Sequence, residues 1–168
     1  ADRAMYVAKE GGRNRFQFFD PSMNSHLLER LALEAGMRRA LAQECFRVHF
    51  QPKVDARNGT LLGMEALVRW DDPEIGTVSP AKFIPVAEET GLILELGEFV
   101  LLYALNFNKT LQEEGLPPIR VAVNLSSVQM KDHSVLPRVE RCLAASGLNP
   151  KFLELEVTES VLLEGSGR

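Results

Sequence analysis

The sequence predicts an α/β fold, and three observations carry that prediction. Asn58-Gly59 is a strong hairpin signal between two strand-like segments, which makes those strands antiparallel. Further along, short apolar strands are separated by segments of helical period, the connection that parallel strands require. The composition, 45% hydrophobic and 25% charged over 168 residues, is that of a globular chain and excludes disordered or fibrous classes. Nineteen Lys plus Arg against 23 Asp plus Glu leave a net charge of -4, so no basic field exists to hold DNA, RNA or an anionic membrane. Cys45 and Cys142 stand far apart with no C-x-x-C spacing, which points away from a disulfide framework or zinc site and towards a cytoplasmic location. No apolar run approaches the roughly 18 residues of a spanning helix, so a membrane anchor of any parent protein is expected outside this chain.

Taken in order, residues 1–9 have helical spacing that Gly11 and Gly12 stop, and residues 15–19 read as a short aromatic strand closed by an Asp20-Pro21-Ser22 turn. A helix with no start signal reads as the tail of a preceding domain. Residues 25–43 place Leu27, Leu28, Leu31 and Leu41 at helical spacing among Arg and Glu, an amphipathic connecting helix that Gly36 weakens without ending. From Glu44 the period changes to that of strands at 46–54 and 60–70. Ser79-Pro80 starts a helix that Gly91 stops, with Pro85 expected to kink or restart it. A longer helix over 93–114 ends at Gly115, a strand follows at 119–124, a helix over 133–146 is closed by Gly147, and a strand spans 152–158. The expected domains are therefore 1–20, a connecting segment 21–43, and 44–168.

Chemistry is expected where polar groups fall on strands that should be buried. A two-residue period puts Glu65, Leu67 and Arg69 on one face of their strand and Met64, Ala66, Val68 and Trp70 on the other. The same arithmetic aligns Ala122 with Asn124, and Glu154 with Glu156 and Thr158. A buried carboxylate costs several kcal/mol unless it is paired or bound to a cation. Two glutamates and an amide oxygen are hard donors of the kind Mg²⁺, Mn²⁺ or Ca²⁺ take, and such a site suits metal-assisted phosphodiester hydrolysis. Blander readings stand beside this one. Alternation alone more often marks the wet face of a half-exposed strand at Glu154 and Glu156, Glu65 and Arg69 can be an ion pair, and Asn124-Leu125-Ser126-Ser127 can be a turn with local side-chain bonds. His26, His49 and His133 are scattered, and no phosphate-cradling or serine-hydrolase motif occurs.

These residues also resemble a known family, the EAL cyclic di-GMP phosphodiesterases. Glu65-Ala66-Leu67 is the naming tripeptide, and the match continues through Phe50-Gln51-Pro52, Phe83-Ile84-Pro85-Val86-Ala87-Glu88, Gly91-Leu92-Ile93, Asn124-Leu125-Ser126 and Glu154-Leu155-Glu156-Val157-Thr158-Glu159-Ser160. Phe99 stands where the family commonly has Trp. Residues 1–19, with Ala1-Asp2-Arg3-Ala4-Met5-Tyr6 and Gly12-Arg13-Asn14-Arg15, resemble the tail of a GGDEF diguanylate cyclase domain.

The resemblance implies a TIM-like barrel whose first strand is antiparallel, with Mg²⁺ or Mn²⁺ as cofactor and cyclic di-GMP hydrolysed to linear pGpG. Glu65, Asn124 and Glu156 match its metal ligands, Glu65, Glu156 and Glu159 its catalytic apparatus, and Gln51, Leu67 and Arg69 positions lining the dinucleotide site. The alternative it leaves is a non-catalytic cyclic di-GMP receptor. From residue 44 the chain offers about 125 residues against about 250 for a complete barrel, so the expectation is an N-terminal half. The family's Asp-Asp segment and following lysine are then expected beyond Arg168. Alone, such a half is expected to be inactive and, with two open sheet edges and an apolar interior, to self-associate as a homodimer or larger assembly. Sensor and GGDEF domains are expected in the parent.

Overall fold

Residues 21–43 and 45–157 are described by a computed structural model, so the expectations for 1–20 lie outside the described residues. Helix α1 (Pro21–Ala42) starts earlier than the leucine spacing suggests. Pro21 and Ser22, expected in a turn, form its first residues, because proline's fixed φ and missing N–H suit the first helical position. The buried face of α1 also differs from the expected one. Leu33, Met37 and Ala40, spaced i, i+4 and i+7, are buried, whereas Leu28 and Leu31 are exposed. Gly36 lies under Trp70, where a Cβ would come within 2.9 Å of the indole Cζ2, so some helix propensity is given up within a continuous helix to let the ring approach.

Strands β1 (Phe46–Val54) and β2 (Leu61–Asp72) form the expected antiparallel hairpin. Its turn is held by Asp55 Oδ1 accepting the Arg57 N–H at 2.8 Å and Asn58 Oδ1 accepting the Thr60 N–H at 3.0 Å, with Gly59 at φ 72°. A short strand β3 (Gly76–Val78), absent from the sequence reading, pairs with the end of β2. Helix α2 (Pro80–Thr90) has Pro80 in its first turn and ends at Gly91 with φ 78°. Pro85 neither restarts nor ends this helix; burial of Phe83, Val86 and Ala87 holds the segment together across it. Helix α3 (Ile93–Glu113) leads to β4 (Arg120–Leu125). A short helix α4 (Ser127–Lys131), capped by Ser126 and absent from the sequence reading, precedes α5 (Val135–Ser146), the helix expected over 133–146, which Gly147 closes at φ 66°. A 3₁₀ turn (Pro150–Phe152) enters β5 (Leu153–Val157).

The sheet order is β1-β2-β4-β5 with β3 on β2, and β2, β4 and β5 run parallel. Two apolar clusters fill the space between sheet and helices. One joins α1, β1, β2, α2 and the start of α3 around Trp70 and Phe83. The other joins β2 and β4 to α3 and α5 around Ala104, Leu105, Val121 and Val123. Both cysteines are free, as expected. Among the described residues no helix is long and apolar enough to cross a membrane.

Among the described residues one face of the sheet carries no helix, and its character corrects the expectation of an apolar interior. Arg47, His49 and Gln51 of β1 stand exposed, and Lys53, Glu65, Arg69, Glu154 and Glu156 are partly covered. That face is largely polar because alternate residues of β1 and β5, together with Glu65 and Arg69 of β2, carry polar or charged side chains.

Helices α3 and α5 are also joined by charge. Glu98 accepts from Arg141 Nη2 at 2.8 Å and from Arg138 Nη1, and these guanidinium partners, Arg141 foremost, hold its carboxyl below the usual glutamate range. A depressed pKa contributes stability above the unfolded-state value, and that contribution disappears as pH falls through the folded-state value. Glu98→Gln is therefore expected to lower stability by about 1 kcal/mol at pH 7 after solvent screening, and by less at an acid pH below the usual glutamate range. Thermal melts at both pH values check this.

Candidate functional site

Alternation on β2 sorts its side chains as expected: Met64, Ala66 and Trp70 are buried, while Glu65, Leu67 and Arg69 lie on the helix-free side and are only partly covered. Register carries that face across the sheet, because residues directly opposite one another share a side. Gln51 is opposite Glu65, Glu65 is opposite Ala122, and Ala122 is opposite Glu154. One step further along, Asn124 is opposite Glu156. Residues 51, 65, 124 and 156 therefore share one face, on strands β1, β2, β4 and β5.

Their contacts separate the alternatives that alternation left open. Asn124 Nδ2 donates to Glu65 Oε1 at 2.7 Å, which ties β4 to β2 through the two side chains. Glu65 makes no ion pair with Arg69 among the described residues; Arg69 Nη1 donates instead to the Val68 carbonyl at 2.8 Å. Four residues along a strand span about 13 Å, too far for that pair to close. The wet-face reading describes Glu154, which meets Arg120 Nε at 3.9 Å near solvent. Glu156 is different, since the Lys53 ammonium reaches it from β1. That hydrogen bond is the main reason the Lys53 pKa lies above the usual lysine range, with Glu154 and Glu65 adding to it. The turn reading of residues 124–127 also holds, because Ser126 caps α4, and it is compatible with Asn124 meeting Glu65.

A cavity of about 280 Å³ at the C-terminal ends of β2 and β4 is bounded by α2, α3 and the helix-facing Ala66 and Val68 of β2, and Leu67, Arg69 and Asn124 are also among its lining residues. Gln51 shares the polar face but lies on the exposed part of β1, away from that cavity. Glu159 and Thr158 lie outside the described residues. Lys53 is the residue that sequence reasoning missed, although the two-residue step from Gln51 carries the signal for it.

No group of three or more His, Cys, Asp or Glu side chains is placed to hold a metal ion among the described residues. What the chain does supply is two carboxylates and an amide oxygen, all hard donors, on one face of adjacent parallel strands. This donor chemistry fits a hard divalent cation and provides part of the six or more oxygens that such an ion takes.

A sheet of parallel strands that gathers acidic and amide side chains at their C-terminal ends, beside a cavity, defines the class of α/β barrel domains with a ligand site at the strand mouth. Within that class the EAL domain family matches residues 34–166, and the chain belongs to that family. It is 42% identical over 163 residues to the bifunctional diguanylate cyclase/cyclic di-GMP phosphodiesterase MucR of Pseudomonas aeruginosa, covering 97% of this chain and 24% of MucR. It is 40% identical over 164 residues to the cyclic di-GMP phosphodiesterase PdeR of Escherichia coli, covering 98% of this chain and 24% of PdeR. A solved structure described as the PaMucR phosphodiesterase in complex with c-di-GMP superimposes with a TM-score of 0.75 at 39% identity, covering 79% of this chain and 53% of that one. The chain thus spans about a quarter of the length of these relatives and about half of that solved domain. The likeness agrees with the barrel-like α/β class, and β1 itself runs antiparallel to β2.

Proposed function

We propose that this chain supplies the N-terminal half of a metal-dependent phosphodiesterase that hydrolyses cyclic di-GMP to linear pGpG. The observation that carries the reading is the joining of Glu65 to Asn124 at 2.7 Å, with Glu156 opposite Asn124 in register, in a chain of the EAL family. Glu65, Asn124 and Glu156 would hold Mg²⁺ or Mn²⁺. What such an ion supplies when bound is polarisation of the phosphodiester and a more acidic water. Arg69, at the wall of the cavity, is suited to a phosphate oxygen, because a guanidinium offers several N–H donors to an anion. Leu67 gives the cavity an apolar wall, Gln51 offers an amide to the dinucleotide from β1, and Glu159 would belong to the catalytic apparatus that the family resemblance implies. In the same reading, residues 1–20 are the tail of a GGDEF domain, 21–43 connect it, and 44–168 begin the barrel of a parent that also carries a sensor domain.

The test is to incubate the full-length protein carrying this chain with cyclic di-GMP and Mg²⁺ or Mn²⁺, resolving products chromatographically. Linear pGpG is expected, with its formation stopped by a chelator and none formed by the 168-residue chain alone. Absence of turnover by the full-length protein with either ion overturns the reading.

A further inference from the structure

The Asn124 side chain is exposed, so packing does not aim it; its direction depends on the backbone where β4 ends and on its bond to Glu65. That backbone turns at Ser126, two residues later, and the turn is tied by one side chain. The Ser126 N–H donates to Gln129 Oε1 at 3.0 Å, and the Gln129 N–H donates to Ser126 Oγ at 3.3 Å. This reciprocal box satisfies donors that a helix start otherwise leaves unpaired. Helix α4 has only five residues and cannot hold itself by its own hydrogen bonds.

Gln129 is buried at 6% exposure, unusual for an amide, and the reason lies on α3. A Cβ added at Gly97 would stand 1.9 Å from Gln129 Nε2 and 3.1 Å from its Cδ. The glycine leaves a notch in the second turn of a long helix, where alanine would favour helix formation, and the Gln129 amide fills it. Ile93, Leu96, Val100 and Leu101 bury α3 on either side of that notch, so the notch itself is fixed.

We propose that Gln129, docked in the Gly97 notch, is a positioning residue that fixes the Ser126 turn and thereby aims Asn124 at Glu65. The inference rests on the proposed role of Asn124 as a metal-side residue. Its test uses the full-length protein and four variants: Gln129→Ala, Gln129→Glu, Gly97→Ala and the Gln129→Ala/Gly97→Ala double. Hydrogen exchange reads the Ser126 amide, calorimetry reads Mn²⁺ affinity, and steady-state assays separate kcat from KM.

Gln129→Ala is expected to speed exchange at Ser126 and to weaken Mn²⁺ binding by about 10- to 100-fold, the range typical of groups that orient a ligand. It is also expected to lower kcat more than it raises KM. Gln129→Glu keeps an acceptor for the Ser126 N–H and is expected to stay within about threefold of wild type. Gly97→Ala is expected to reproduce Gln129→Ala, and to add nothing once Gln129 is truncated, because the added methyl then has room. Wild-type Mn²⁺ affinity in Gln129→Ala or in Gly97→Ala overturns the inference alone, as does failure of a folded Gln129→Glu variant to restore affinity. A wild-type protein that binds no Mn²⁺ overturns the metal reading and this inference together.

Discussion

Glu65→Gln in the full-length protein is expected to reduce metal-dependent hydrolysis of cyclic di-GMP by about 10³-fold or more while leaving the fold intact. Glutamine keeps the length and planarity of the side chain, and its oxygen can still accept the Asn124 Nδ2 proton that Glu65 Oε1 accepts at 2.7 Å. Only the charge is removed. In the proposed site one of two anionic ligands to a doubly charged ion becomes neutral, a loss of several kcal/mol, and each 1.4 kcal/mol is about tenfold in rate. Because Glu65 is partly exposed and makes no ion pair among the described residues, the melting temperature is expected to move by no more than about 2 °C. Steady-state assays over a Mn²⁺ series, beside thermal melts, make the comparison. Turnover above a tenth of wild type would remove Glu65 from the reaction.

Local signals proved the legible ones. The Asn58-Gly59 hairpin, the Ser79-Pro80 start, and the Gly91 and Gly147 stops depend on a few consecutive residues, and the structure has all of them. The faces of β2 follow from a period of two, which likewise needs no partner strand. What escaped depends on residues distant in sequence. The buried face of α1 is selected by Trp70 and the first cluster, so Leu33, Met37 and Ala40 go inside although Leu28 and Leu31 are more conspicuous. Pro85 stays within α2 because burial outweighs its local cost. At the site, parity nominated Glu65, Asn124 and Glu156, yet it could not say which carboxylate meets which cation. Lys53 reaches Glu156 across 103 positions of sequence, a contact that depends on strand order and register and not on any local signal. The polar inner face escaped for a related reason: half a barrel was expected to expose what barrels usually bury, but here the strands place charge on that side.

Trp70→Ala is expected to cost the most stability of any single change, about 3–5 kcal/mol, the range for emptying a buried aromatic site. The indole is 1% exposed and sits where four elements meet. Along the sheet it is opposite Phe46 of β1 and Val78 of β3, and its ring meets Phe83 of α2 edge-on at 5.5 Å and Phe46 at 5.6 Å. Above it, Gly36 brings α1 close enough that a Cβ would approach Cζ2 to 2.9 Å. Removing the ring therefore unseats α1 and α2 together, one residue beyond Arg69. The indole Nε1 is buried with no hydrogen-bond partner among the described residues, so the shape of the ring, not its donor, is what stabilises. Trp70→Phe discards that unsatisfied donor, which offsets part of the lost packing, and is expected to cost about 1 kcal/mol or less. Gly36→Ala should fall between the two, because its methyl must displace either the indole or α1. Thermal and denaturant unfolding of the full-length protein, followed by far-ultraviolet circular dichroism, ranks the three. Equal losses for Trp70→Ala and Trp70→Phe would mean that the indole edge against α1, rather than the aromatic contacts with Phe46 and Phe83, holds the junction.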